Sequence, residues 1–216
     1  MRKVRLLLMA LTFFLALQSQ GHFNILIPSL PKNYLQVPII RQATDYSCGP
    51  ASLLGVLNYW QVYEGAESEL YSVLGTTEKN GTEPQKLLEG AKKYGLTADM
   101  KENLELADLK AALQKSETVI LSYQAWRDED SKDKPWSEIW EDGHYGVLVA
   151  MDSEFLYLMD PSYARGYVYV SQAEFLERWH DYEDREGKKW KYQHIAIFIH
   201  GEKPVSAFPG PIVVLE

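Results

Sequence analysis

Residues 42–53 read Gln42-Ala43-Thr44-Asp45-Tyr46-Ser47-Cys48-Gly49-Pro50-Ala51-Ser52-Leu53, and the fold is decided here. A polar lead gives way to an apolar run. Ala51, Leu53, Leu54, Val56, Leu57 and Trp60 fall at mixed helical spacings, which predicts a largely buried helix over 49–60. Pro50 suits its first turn, where a missing N–H costs nothing. Cys48 therefore stands at a helix N-terminus. Orphan N–H groups and the positive end of the helix dipole favour a thiolate there, and the thiolate is the reactive form. Gly49 keeps the approach to the sulfur open and leaves its backbone N–H free to face an oxyanion. Gln42 offers a side-chain amide as a second oxyanion donor. Taken alone, a cysteine near a helix start is more often a packing residue.

The rest of the chain makes that cysteine unusual. Arg2, Lys3 and Arg5 precede an uncharged, mostly apolar run over 6–17, followed by Gln18-Ser19-Gln20-Gly21. A positive start, a short apolar run and a small polar exit describe a secretory signal peptide over 1–21, with 22–216 as one domain. Cleavage after Ser19 or Gly21 fits best. The run is short against the roughly 20 residues of a membrane span. An uncleaved N-terminal anchor is the alternative, and it would be the chain's only membrane contact. An exported protein (periplasmic or secreted) with a single cysteine has no internal disulfide, so the thiol asks for another reason.

Of the 216 residues, 46 % are hydrophobic, with 6 Trp and 14 Tyr, which is enough for a substantial core. The formal net charge is -8, and no stripe of Lys and Arg marks a nucleic-acid surface. Residues 185–191 read as a solvated turn. The His residues and the lone Cys lack ligand spacing, so neither a metal nor another cofactor is expected.

Beyond the first helix, 67–74, 83–94 and 106–115 read as helices, with Thr82 as a cap and Pro84 in the first turn of the second of these. Residues 37–40 and 118–123 are β-like. Residues 126–142 form a charged, Trp-rich loop. Residues 144–151 and 155–159 make a hairpin about the turn Asp152-Ser153-Glu154. A strand over 167–170, a helix over 172–179 and a closing strand over 194–199 follow. Helices lead and strands follow, which is the α+β pattern.

A cysteine nucleophile needs a base, and the base needs a group to hold it. His144 begins an apolar strand behind Gly143, a residue that permits close approach of another segment. Asp160 ends the strand paired with it and precedes Pro161, which stops the strand. The two side chains then meet at the same end of adjacent strands. A carboxylate there would fix the imidazole tautomer and stabilise the imidazolium. Each residue alone has a plain structural reading, as a strand-end His and a turn-forming Asp.

Residues 42–60, with the pattern Q-x5-C-G-x-A, resemble the nucleophile helix of the C39 peptidases. Gly143-His144-Tyr145-Gly146-Val147-Leu148-Val149 and Asp160-Pro161-Ser162 resemble the family's His and Asp blocks. Residues 166–179 are similar to the segment that follows, and the likeness spans about 37–199. The resemblance implies a papain-like α+β fold, with an N-terminal helical lobe carrying the nucleophile and a C-terminal antiparallel β-sheet lobe. It implies Cys48 as nucleophile, His144 as general base and acid, Asp160 as orienter and Gln42 as oxyanion donor. It also implies a peptide or protein substrate. Well-known members cut leader peptides after a double glycine while fused to an exporter. Here any exporter would be a separate partner, since the chain shows no membrane domain and no phosphate-binding loop. The string Cys48-Gly49-Pro50-Ala51-Ser52-Leu53 also resembles phytochelatin-synthase-like acyl-transfer enzymes. A non-catalytic C39-like substrate-binding module is a third reading, though such modules typically lose the nucleophile.

Overall fold

The computed structural model describes residues 28–163, 165–185, 187–205 and 212–214. The expected signal peptide over 1–21 lies outside them. Three helices come first: α1 (Cys48–Tyr59), α2 (Glu67–Leu74) and α3 (Pro84–Lys93). Then follow β1 (Thr97–Lys101), α4 (Leu106–Gln114), β2 (Thr118–Gln124), β3 (Gly143–Met151), β4 (Phe155–Met159), β5 (Tyr167–Ser171) and α5 (Gln172–Arg178). The chain continues through β6 (His180–Arg185), β7 (Lys188–Gln193), β8 (Ala196–His200) and β9 (Ile212–Val214).

Seven strands form one sheet in the order β1-β8-β2-β3-β4-β5-β9. All neighbours are antiparallel except β5 and β9, which run parallel. Both faces are buried, and the strand sequences show why. In β2, Ile120 joins a core with α1, α2 and α3, while Val119, Leu121 and Tyr123 join a second core with α4 and α5. In β4, Tyr157 and Met159 face the first core and Leu156 and Leu158 the second. A strand covered on both sides loses the apolar–polar alternation of a half-exposed one. That accounts for the continuous apolar character of the strand that His144 begins. A register shift between Leu148 and Ala150 turns Val149 and Ala150 together into the first core.

α1 is buried along nearly its whole length, from Gly49 to Leu57 and at Tyr59. It lies against β3, and Ser52 Oγ donates to Tyr145 O at 3.1 Å. The helical lobe expected from the leading segments is present, as is the largely antiparallel sheet lobe.

Several local expectations change. Thr82 does not cap α3; the N-cap is Glu83, and the Thr82 hydroxyl pairs with that of Thr76 at 2.8 Å. Pro84 takes the first helical position as expected. Residues 37–40 belong to no strand. Residues 185–191 are not a simple turn, because β6 and β7 pair as a separate two-stranded ribbon around them. The 126–142 segment is a largely exposed loop, as expected, pinned at two points. It contains a short 3-10 turn over Trp136–Glu138, and Trp136 and Ile139 are buried.

Candidate active site

The nucleophile segment is fixed before the helix begins. Gln42 N donates to Pro161 O at 2.9 Å, which ties the segment to the end of β4. Ala43 N donates to the buried Glu67 carboxylate at 3.1 Å, and Tyr71 Oη binds the same group at 2.9 Å. Ser47 precedes α1 but turns its hydroxyl back to Thr44, accepting from Thr44 N at 3.0 Å. It makes no side-chain cap bond to the helix. The first turn of α1 is thus left without a side-chain cap where Cys48 stands, half-buried.

Gly49 serves a purpose other than keeping the sulfur accessible. It is buried, and a Cβ there would lie 2.8 Å from Thr82 Cβ. Its lack of a side chain lets the start of α1 seat against the 79–84 segment.

His144 sits opposite Tyr123 in the β2–β3 register. Its Nε2 lies 2.8 Å from Asp160 Oδ1, and the two side chains are 1 % and 0 % exposed. Asp160 is held on every side. Tyr123 Oη donates to Oδ2 at 2.7 Å, and Ser162 donates to Oδ1 through its N at 2.8 Å and its Oγ at 2.6 Å. Trp126 packs edge-on to the imidazole at 4.7 Å between centroids, and Tyr123 does so at 5.6 Å.

Burial by itself would push the His144 pKa down. The charge and hydrogen bond of Asp160, joined by the Cys48 thiol, outweigh burial and hold it well above its ordinary value. Burial would likewise raise the Asp160 carboxyl. The His144 imidazolium outweighs that, with help from the Ser162 and Tyr123 hydroxyls, and keeps it below the usual carboxylate range. The other ring nitrogen, Nδ1, is buried and has no partner at full hydrogen-bond geometry. Cys48 nevertheless lies close enough to help hold the His144 pKa up. The thiol therefore stands near the ring without a fully formed bond, a looseness common in unliganded sites.

Cys48, His144 and Asp160 are thus brought together. Gln42 is nearby but engaged elsewhere: its Nε2 donates to Thr44 O at 2.8 Å, while its Oε1 is buried without a partner. A cleft of about 420 Å³ opens over Cys48 and Gly143. Tyr145, Trp140 and the 79–84 segment line it, as do residues 181–184 of β6. Among the described residues no group of three or more His, Cys, Asp or Glu side chains is arranged to hold a metal ion.

Sequence reasoning did not find Asp181 and Tyr123. Asp181 lines the cleft from β6, a strand that the pattern of the sequence does not predict. Tyr123 was read only as the end of a strand. Its position opposite His144 in the register is the signal that a pairing of 118–123 with 144–151 would have supplied.

The model of the Peptidase C39-like family matches residues 34–186. This chain belongs to the Peptidase C39-like family. An uncharacterized protein of Methanothermobacter thermautotrophicus is 32 % identical to this C39-like chain over 127 residues, which cover 59 % of this chain and 73 % of that protein. Among solved structures, the C39-like fold is similar to a double glycine motif protease from an AMS/PCAT transporter, in complex with the leader peptide. The TM-score is 0.53 at 22 % identity, covering 82 % of this chain and 97 % of that one. It is also similar to the peptidase domain of Streptococcus ComA, a bi-functional ABC transporter involved in quorum sensing. There the TM-score is 0.56 at 16 % identity, covering 77 % and 99 %. These likenesses bear on the fold. No helix among the described residues is long and apolar enough to cross a membrane.

Proposed function

We propose that this protein is an exported thiol peptidase that cleaves a peptide or protein through Cys48, His144 and Asp160. The observation that carries the reading is the buried 2.8 Å contact between His144 Nε2 and Asp160, beside the cleft that holds Cys48. With Nε2–H committed to Asp160, Nδ1 is the nitrogen left to take the thiol proton. The thiolate attacks the carbonyl carbon. The oxygen becomes an oxyanion, stabilised by the uncapped N–H groups at the start of α1 and by the second amide hydrogen of Gln42. The tetrahedral intermediate collapses to a thioester as the imidazolium gives its proton to the departing amine. A water then gives a proton to His144, attacks the thioester and releases the acid, and the thiol is restored. Leader-type peptides are the natural first substrates to try, given the family.

Cys48→Ala is expected to abolish cleavage of peptide mixtures while leaving the circular dichroism spectrum and thermal midpoint close to those of the parent. Cleavage that survives the substitution would overturn the assignment. Export rests on the sequence of 1–21, and N-terminal sequencing of the mature protein is expected to begin after Ser19 or Gly21.

A further inference from the structure

Asp181 carries a carboxylate that the proposed chemistry does not use. Ser122 Oγ donates to its Oδ2 at 2.5 Å, Tyr182 N to Oδ1 at 2.8 Å, and Gln124 Nε2 lies 3.5 Å from Oδ1. The residue as a whole is half-buried, but the carboxylate is enclosed, and burial pushes its pKa up to about 6 against those hydrogen bonds. Among the described ion pairs none involves Asp181, so no Lys or Arg neutralises it. Gly143, the residue before His144, lacks a Cβ where the carboxylate lies, and a side chain there would overlap it. Asp181 lines the same cleft as Cys48. The fold therefore holds a carboxylate rigidly beside the nucleophile, where the His144 imidazolium, itself paired with Asp160, is the cation that acts on it and no Lys or Arg pairs with it.

The cleft around it has the same sign. Its lining includes Asp45, Glu83, Glu183 and Asp184 besides Asp181, against Lys79 as the basic lining residue; a further lining carboxylate, Glu141, is paired with Lys189 at 3.1 Å. The whole chain carries 22 Lys and Arg against 30 Asp and Glu, so the cleft is far more lopsided than the average. Aromatic walls complete it. Lys191 already lies 3.8 Å from the ring centre of Trp140, and Lys189 lies 4.0 Å from that of Tyr182. Rings in this setting accept cations and the apolar stems that carry them.

We propose that Asp181 is a specificity-determining residue that receives a lysine or arginine side chain of the peptide substrate, next to the bond presented to Cys48. The proposal rests on the peptidase reading and names its substrate class. A bound ammonium or guanidinium supplies the direct ion-pair partner that His144, committed to Asp160, does not. The surrounding acidic lining raises the local concentration of cationic peptides.

Binding is measured apart from chemistry, by fluorescence anisotropy with the Cys48→Ala protein. Labelled peptides differ at one position only, as Lys, Arg, Gln or norleucine, each with a free and with an acetylated amino terminus. The Lys and Arg peptides are expected to bind about 10-fold or more tightly than their neutral counterparts at low salt, with the margin narrowing as salt rises. In Asp181→Asn, or in Asp181→Ser should that variant fold better, the cationic-to-neutral ratio falls towards one. Equal binding of cationic and neutral peptides by the Cys48→Ala protein overturns the proposal. So does a ratio unchanged in a folded Asp181 variant, or a preference that follows the free amino terminus alone. Cleavage by the parent protein without charge preference sinks this inference and spares the peptidase reading. Charge-selective binding with no cleavage does the reverse.

Discussion

Asp160 accepts hydrogen bonds from three side chains and one backbone N–H, so its carboxylate is satisfied only while ionised. Asp160→Asn keeps the shape but removes the charge and puts a donor where acceptors are needed. Cleavage is expected to fall by at least about 100-fold, read as kcat/KM on one peptide. Stability carries a pH signature. The Asp160 pKa is lowered on folding, so its contribution is present above the ordinary carboxylate value of about 4 and is lost as pH falls through the folded value. The His144 pKa is raised, so its contribution is full below about 6.5 and is lost as pH rises through the folded value. The margin of the parent over Asp160→Asn, from urea midpoints between pH 3 and 9, should therefore be largest from about pH 4 to 6.5 and shrink on both sides. A margin independent of pH would argue against an ion pair. The sequence disclosed both partners because each sits at an unmistakable strand end, ahead of Pro161 or behind Gly143. It did not disclose Tyr123, whose hydroxyl reaches Asp160 only because the register sets it opposite His144.

At the scale of elements, α5 governs the segment that carries Trp126 over His144. Arg178 is 2 % exposed and donates to Ala125 O at 2.9 Å and Gln124 O at 3.3 Å, where β2 ends. Its guanidinium lies 3.5 Å from the Trp136 ring centre and pairs with Glu174. Arg178→Met removes a donor from two carbonyls and loosens the anchoring of the 126–142 segment at Trp136. A loss of about 2–4 kcal/mol is expected in urea unfolding, together with faster proteolytic nicking within 126–142. Unchanged nicking would mean that the segment is held by other contacts. Strands β1 and β7 escaped the sequence reading for one reason; β6 escaped because its buried positions include His180 and Glu183, which carry no apolar signal. In β1 the residues Thr97, Asp99 and Lys101 are exposed, and β7 is exposed at every position but Tyr192, so the apolar signal of a strand is sparse. The pairing of β1 is set by β8, distant in sequence, whereas β6 and β7 pair with each other as a local ribbon whose residues 181–184 wall the cleft.

Over the whole molecule, α1 joins the two lobes, since one helix is both the centre of the first core and the mount of Cys48. Leu53 is fully buried there, and its Cδ2 would lie 2.9 Å from a Cβ placed on Gly90 of α3. Leu53→Ala is expected to cost about 2–5 kcal/mol by urea denaturation, with activity lost in step with folded protein. A fall in kcat at full folding would show instead that the helix start moves when its core is loosened. The sequence alone determined the apolar helix behind Cys48, the hairpin that carries His144 and Asp160, and the α+β class, because each is a local pattern of burial and chain reversal. The tertiary structure decided what faces the sulfur. It filled the space over Gly143 with Asp181 and drew carboxylates from four separate segments into one cleft. No spacing rule encodes those meetings, because they depend on how two independently specified layers pack against each other.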